Sequence, residues 1–321
     1  MGTKYIVKVS HFPDHVDWQK IADEIQKKLD ALDQKMSTYR YDSEVSRFNT
    51  SPSTEDWFSV SPETAQVVQM SLDISKLSGG AFDITVAPLI QHWGFGAGGN
   101  PRTNKSFEEL KSSAILLKEQ TGYEKLSVRI DPPALKKAVP ELTIDLSAIA
   151  KGYAVDCVAA FLEEQKVTDY LIEIGGEVRV KGKKDKTKHK DWIVGIEKPV
   201  LESLDQDSDN QQELILGDNS LATSGSYLQT FQFQIEGQRV SHIIDPRTGL
   251  PAQIENDEQE LVAVSVVFPN CADADAWATA MFVLGEQKGI ELADKQGFSV
   301  LFLLYSGGEI VEVPSKHWQI N

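Results

Sequence analysis

The sequence predicts an α+β fold of mixed, largely antiparallel sheets with packed helices, a single domain over 1–321 forming one compact body with two lobes. Three observations carry this. Several segments place apolar residues at the three-to-four spacing of one buried helix face, and caps mark their starts. Short alternating or apolar segments are joined by glycine pairs and tight turns, as in hairpins. A chain of 321 residues, 41% of them hydrophobic and 8% aromatic, can bury a sizeable core and shows no internal repeat.

The elements follow in order. Lys4–Val9 alternates as a strand. Asp17 caps a helix whose face is Trp18, Ile21, Ile25, Leu29 and Leu32, ending near Gln34. Met36–Asn49 has neither period and is expected to be a functional loop. Ser61-Pro62 opens a helix that stops at Gly79-Gly80, and a turn at Ala81–Leu89 leads into a helix or strand, its glycine pair allowing a ligand to come close. Ser106-Phe107-Glu108-Glu109 is a capping-box pattern for a helix to about Gln120. Strands are expected at Leu126–Ile130 and Leu142–Ile144, and a helix from about Lys151 to Glu164.

Further strands fall at Tyr170–Ile174 and Val178–Val180 around Gly175-Gly176, and at Trp192–Ile196. Lys181–Lys190, with six lysines, reads as a solvated hairpin loop, and Glu202–Glu213 as an exposed acidic loop. Leu214–Leu216 and Leu221–Thr223 bracket a turn, and Phe231–Ile235 alternates as a strand. Ser241–Gly249 is a turn rich in functional groups, followed by strand Leu261–Phe268, helix Ala274–Leu284 and strands near Val300–Tyr305 and Glu309–Val313.

A formal net charge of −16 disfavours nucleic acid and anionic membrane surfaces, and an anionic ligand would need local cations or a metal. Cys157 and Cys271 form no CxxC and read as small core residues. No stretch is long and apolar enough to span a membrane. No signal peptide is visible, which suits a cytosolic protein or one whose leader has been removed. Phosphate-loop, GxSxG, HExxH and GxGxxG signatures are absent.

Chemistry concentrates in three places. Asp145–Asp156 runs from an apolar segment through small residues to a lysine at a helix start, where free N–H groups and partial positive charge favour an anionic or nucleotide-like ligand. Asp275 and Thr279 lie four apart on one helix face and offer hard oxygens, half of a magnesium site. His242 beside Asp245, Arg247 and Thr248 is either a general base or a structural histidine satisfied by a carbonyl. His15, His92 and His189 are weaker candidates.

Eight motifs, in order, resemble the FAD:protein FMN transferase family, also called ApbE or the thiamine-biosynthesis lipoprotein family. They are Met1-Gly2-Thr3; Ser37-Thr38-Tyr39 with Ser46-Arg47-Phe48-Asn49; Gly80–Val86; Asp145–Asp156; Gly175-Gly176; Thr223–Tyr227; His242–Gly249; and Asp275–Thr279. The resemblance implies FAD between the lobes, touched by Met1, Tyr39, Ala81, Phe82, Asp83, Asp145, Lys151 and Ile244. It also implies magnesium at Asp275, Thr279 and the Ala148 carbonyl. Some members carry an aspartate where this chain has Ala278 and a glutamate where it has Lys151.

The implied reaction is magnesium-dependent transfer of FMN from FAD to a Thr or Ser hydroxyl of a membrane-associated redox subunit, with His242 as base and AMP released. The alternatives are an FAD pyrophosphatase giving FMN and AMP, and a non-catalytic FAD-binding protein. The resemblance also favours an exported, periplasmic or cell-envelope protein whose leader has been removed, with or without a lipid anchor in the precursor.

Overall fold

A computed structural model describes residues 2–11, 13, 16–97, 105–197, 211–225, 234–235, 238–252 and 260–318. Met1, His15, Ser226, Tyr227, Phe231–Phe233 and 202–210 of the acidic segment lie outside the described residues. The fold is α+β with antiparallel sheets. The chain divides into two units, Met1–Asp30 with Lys151–Tyr227 and Asn256–Asn321, and Ala31–Ala150 with Leu228–Glu255.

The first unit is built on a seven-stranded sheet: β1 (Tyr5–Val9), β2 (Tyr170–Ile174), β3 (Glu177–Lys181), β4 (Ser220–Gly225), β5 (Glu260–Phe268), β6 (Ser299–Ser306) and β7 (Glu309–Pro314). Spatial order equals chain order and every neighbour is antiparallel, so the sheet is a meander with long excursions between some strands. Burial explains the sequence patterns. β1, at one edge, alternates, whereas β5 and β6 are buried almost throughout and read as continuous apolar runs. Leu171, Val180, Leu221, Leu301 and Leu303 share a core with Trp192, Val194 and Leu214. Val194 and Leu214 belong to a hairpin, Ile193–Glu197 paired with Gln211–Ile215, and Trp192 directly precedes it. Gln211–Glu213 is therefore strand, not loop, because its partner satisfies its backbone.

Helix α1 (Trp18–Met36) buries Ile21, Ile25, Leu29 and Leu32, and Asp17 Oδ1 accepts the N–H groups of Gln19 at 3.1 Å and Lys20 at 3.3 Å. In the second unit a three-stranded sheet orders Phe58–Ser59, Pro133–Lys137 and Leu126–Ile130. The same unit holds α2 (Glu44–Thr50), α3 (Pro62–Leu77), α4 (Ala87–His92) and α5 (Phe107–Leu117). Ser61 caps α3, and the capping box of Ser106 and Glu109 is formed at α5.

Two expectations fail here. The Met36–Asn49 loop contains α2, a helix of 7 residues too short to display a period, fixed by its Ser43 cap and the buried pair Val45 and Phe48. Leu142–Ile144 is not a strand. Ile144 is tied instead by the Asn49 side chain, whose Nδ2 donates to Ile144 O at 2.9 Å and whose Oδ1 accepts Ile144 N–H at 2.8 Å, and Leu142 N–H donates to Val139 O at 3.2 Å. Pro133–Lys137 is the strand that pairs with Leu126–Ile130.

Helix α6 (Ala150–Glu164) meets α7 (Cys271–Gln296) at Gly152, where a Cβ would fall 2.2 Å from the Cys271 carbonyl oxygen. Helix α7 is longer than its apolar period suggested, with a break at Gly285 (φ 75°, ψ 174°). Alanine in place of Gly152 would gain helix propensity of up to about 1 kcal/mol, but the added methyl meets backbone that cannot rotate away. We expect Gly152→Ala to lose about 1–3 kcal/mol or more of unfolding free energy in urea titrations; unchanged stability would show that the helices can separate freely.

Candidate functional site

The first unit assembles charge around the start of α7. Asp156, one turn after Gly152 on α6, accepts the N–H groups of Cys271 at 3.0 Å and Ala272 at 2.9 Å. It also pairs with Arg179 of β3. Asn270 Oδ1 accepts Asp273 N–H at 2.8 Å, so the first amides of the helix, which have no partner within it, are met by side chains. A turn later stands Asp275, 3% exposed. Its Oδ2 accepts the Gly152 N–H at 3.0 Å, and its Oδ1 lies 3.4 Å from Lys151 Nζ.

Lys151 Nζ is also 3.1 Å from Oε1 of Glu177, the first residue of β3. Burial opposes the ammonium, but the charges of Asp275 and Glu177 outweigh it and hold Lys151 above the usual lysine range. Burial, reinforced by Asp275 and opposed by Lys151, raises the Glu177 carboxyl above the usual carboxylate range. Thr279 sits one turn beyond Asp275, its Oγ1 3.1 Å from Ser224 Oγ on β4. Ala278 is fully buried in the helix.

Among the described residues no group of three or more His, Cys, Asp and Glu converges as a metal cage. The donors expected for magnesium are of another kind, a carboxylate, a hydroxyl and a carbonyl. Asp275 and Thr279 fit a hard cation, since a second buried carboxylate adjoins and Glu177 Oε2 is buried without a hydrogen-bond partner among the described residues. Ala148 lies in the turn leading into α6, half-buried.

In the second unit the expected ligand contacts fall on tied loops. A cavity of about 250 Å³ is lined by Thr38, Tyr41, Ser46, Asn49, Gln91 and Asp145. The Thr38 hydroxyl oxygen is buried with no partner among the described residues, so the wall has polar capacity unused. Tyr39 is 75% exposed, an aromatic ring held out from a turn, whereas Ala81, Phe82 and Ile244 are buried. Asp145 N–H donates to Ile84 O at 2.8 Å, and the Asp145 carboxylate accepts Ser147 N–H at 2.8 Å and its hydroxyl.

Asp83 is occupied within the protein. Its Oδ1 accepts Thr85 N–H at 2.8 Å and the Thr85 hydroxyl at 2.7 Å, and its Oδ2 accepts Tyr123 N–H at 2.8 Å. Burial raises its carboxyl, and these bonds pull it back. His242 is half-buried, its ring 6.3 Å from Phe95 at an interplanar angle of 68°. The turn after it is clamped by a two-pronged pair, Arg247 Nε to Asp245 Oδ1 and Nη2 to Oδ2, both 2.9 Å.

Sequence reasoning missed Glu177, Asp156 and the tying role of Asn49. Glu177 directly follows the Gly175-Gly176 motif, which was the available signal.

The structure is an α+β fold with a buried Asp275 and Thr279 one turn apart on α7 and a polar cavity among the tied loops of the second unit. Residues 1–302 match the model of the ApbE family, and the chain belongs to that family. It is 40% identical over 321 residues to a Vibrio cholerae protein named FAD:protein FMN transferase, covering 99% of this chain and 90% of the relative. An Escherichia coli protein of the same name is 36% identical over 290 residues, covering 90% and 78%. Solved structures of the same fold include the flavin transferase ApbE from Vibrio cholerae, with TM-score 0.84 and 36% identity over 99% of this chain and 95% of that one. The apo flavinyl transferase ApbE of Pseudomonas stutzeri has TM-score 0.84 and 34% identity, covering 99% and 92%.

Replacing Asn49 by Ala would leave the Ile144 N–H and C=O without their side-chain partners. We expect a loss of about 1–3 kcal/mol in denaturant unfolding; a change below about 0.5 kcal/mol, the range of surface substitutions, would show that solvent replaces these bonds.

Proposed function

We propose that this chain transfers FMN from FAD to a Thr or Ser hydroxyl of a membrane-associated redox protein, through a phosphoester bond and with magnesium, releasing AMP. The observation that carries the reading is the buried Asp275, fixed by the Gly152 amide and followed one turn later by Thr279. Family membership and the names of the relatives support it.

In this reading Tyr39, the Ala81-Phe82-Asp83 turn, Asp145 and Ile244 line the FAD, with Met1 and Lys151 as further contacts. Asp83 and the buried pair beside it act mainly by shaping the turn, since the carboxylate is already bonded within the protein. His242 takes the proton of the acceptor hydroxyl. The acceptor oxygen then bonds to the FMN-side phosphorus, and the bond from that phosphorus to the bridging oxygen breaks, leaving the oxygen on AMP. Magnesium at Asp275 and Thr279, with the Ala148 carbonyl as the donor implied by the family, would neutralise charge on the pyrophosphate. In this reading the protein works on the outer side of the cytoplasmic membrane, which cell fractionation with an antibody to the chain would test.

The deciding experiment incubates the protein with FAD, magnesium and an acceptor domain and follows acceptor mass. A gain of one FMN with equimolar AMP is expected; free FMN and AMP with an unmodified acceptor would establish a pyrophosphatase, and intact FAD a carrier. Asp275→Ala should abolish labelling while FAD binding persists. His242→Ala should slow it about 10²–10⁴-fold, the usual worth of a general base; an unchanged rate would remove His242 from that role.

A further inference from the structure

The charge cluster of the first unit contains a vacancy in its hydrogen bonding. Glu177 Oε1 faces Lys151 Nζ at 3.1 Å, whereas Oε2 of the same carboxylate is buried and has no hydrogen-bond partner among the described residues. The Glu177 side chain is 5% exposed and that of Asp275 4%, so neither carboxylate has ready access to water. A buried carboxylate oxygen without a donor is costly and uncommon in a native interior. The lysine between the two acids keeps 31% of its side chain exposed. Its ammonium has three donors on a flexible stem, whereas Asp275 is held in place through Oδ2 by the Gly152 amide at 3.0 Å.

The geometry therefore separates a fixed acid from a movable base. Asp275 Oδ1, the oxygen not taken by Gly152, is the one that Lys151 covers at 3.4 Å. A cation joining Asp275 there must compete with the ammonium and repels it. With a lone Asp275–Lys151 pair, the ammonium would have to leave its acid for solvent. Glu177 provides another place, because the ammonium is already 3.1 Å from Oε1 and the other oxygen of the same carboxylate has no donor among the described residues.

We infer that Glu177 is a positioning residue that takes Lys151 from Asp275 when a divalent cation binds, uncovering the Asp275 oxygen that ligates it. The inference rests on the reading that Asp275 is a magnesium ligand. It adds that Lys151 and Glu177 set the affinity of that site through their pairing.

The test is calorimetric titration of the full chain with magnesium chloride alone, so that turnover plays no part, with thermal unfolding to verify that each variant folds. Glu177→Gln keeps the shape but removes the counter-charge, leaving Lys151 on Asp275. Magnesium affinity should fall by a factor within about 2- to 150-fold, the range of coupling between residues in one ion-pair network. Lys151→Met alone should bind at least as tightly as the wild type. The double variant, Glu177→Gln with Lys151→Met, should recover the loss, which a merely structural role for Glu177 would not allow. Wild-type affinity in Glu177→Gln, or a double variant as weak as Glu177→Gln, overturns the inference. Asp275→Ala separates the two levels. If it abolishes binding while Glu177→Gln has no effect, the metal site stands and the role of Glu177 falls; if it binds magnesium as the wild type does, the site assignment falls and this inference with it.

Discussion

The close approach of α6 and α7 at Gly152 is the constraint on which the charged site depends. A Cβ there would collide with the Cys271 carbonyl, so the position needs glycine, and the same approach brings the Gly152 amide to Asp275. A carboxylate that is only 3% exposed has lost most of its hydration and must be compensated within the protein. The amide supplies one donor and Lys151 supplies charge. Asp156 completes the arrangement by accepting the first two amides of α7, where the positive end of the helix favours a carboxylate. Gly152 and Asp156 thus act as one stripe on α6, the first allowing contact and the second fixing the start of the partner helix.

The second unit solves a different problem, that of holding irregular backbone in shape without a sheet ladder. One device recurs. Asp83, Asp145 and Asp245 each accept the N–H two residues ahead, from Thr85, Ser147 and Arg247. This side-chain turn satisfies a donor that no strand partner reaches. Asn49 does the same at long range for Ile144, and Trp93 Nε1 donates to Gly249 O at 2.8 Å, tying the turn after His242 to α4's end. The expected ligand contacts therefore sit on segments whose polar groups are mostly spoken for within the unit. Exceptions such as Thr38 Oγ1 then stand out as capacity for a ligand.

Much of this was legible in the sequence because local signals and tertiary structure agree. Caps at Asp17, Ser61 and Ser106 mark helices that form, and the apolar runs of β5 and β6 are strands with buried centres. The failures have physical causes. Helix α2 has two inward residues in 7, too few for a period, and Leu142 and Ile144 are buried without a strand partner, Ile144 being bonded by the Asn49 side chain. The charged cluster was half legible. Asp275 and Thr279 share a helix and their spacing is readable, and Lys151 was noted at a helix start. Glu177 was not, since it reaches Lys151 only through the position of β3 in the sheet, and no local spacing encodes that meeting. The family resemblance implies a flavin contact for Lys151, and the folded chain adds two carboxylate neighbours to it.

Those neighbours bear on how a chain of net charge −16 could accept an anionic substrate. One ammonium faces two buried carboxylates, and the raised carboxyl of Glu177 reflects burial and the negative charge of Asp275. The cluster is short of positive charge, which a proton or a cation can supply. A pyrophosphate coming to such a site alone would be repelled, whereas one arriving with a divalent cation would meet a balanced set. On the proposed function, metal and FAD therefore favour each other's binding, and linkage requires each to tighten the other by the same factor. The acidic character of the chain is then compatible with an anionic substrate because the attraction is local and conditional on the metal.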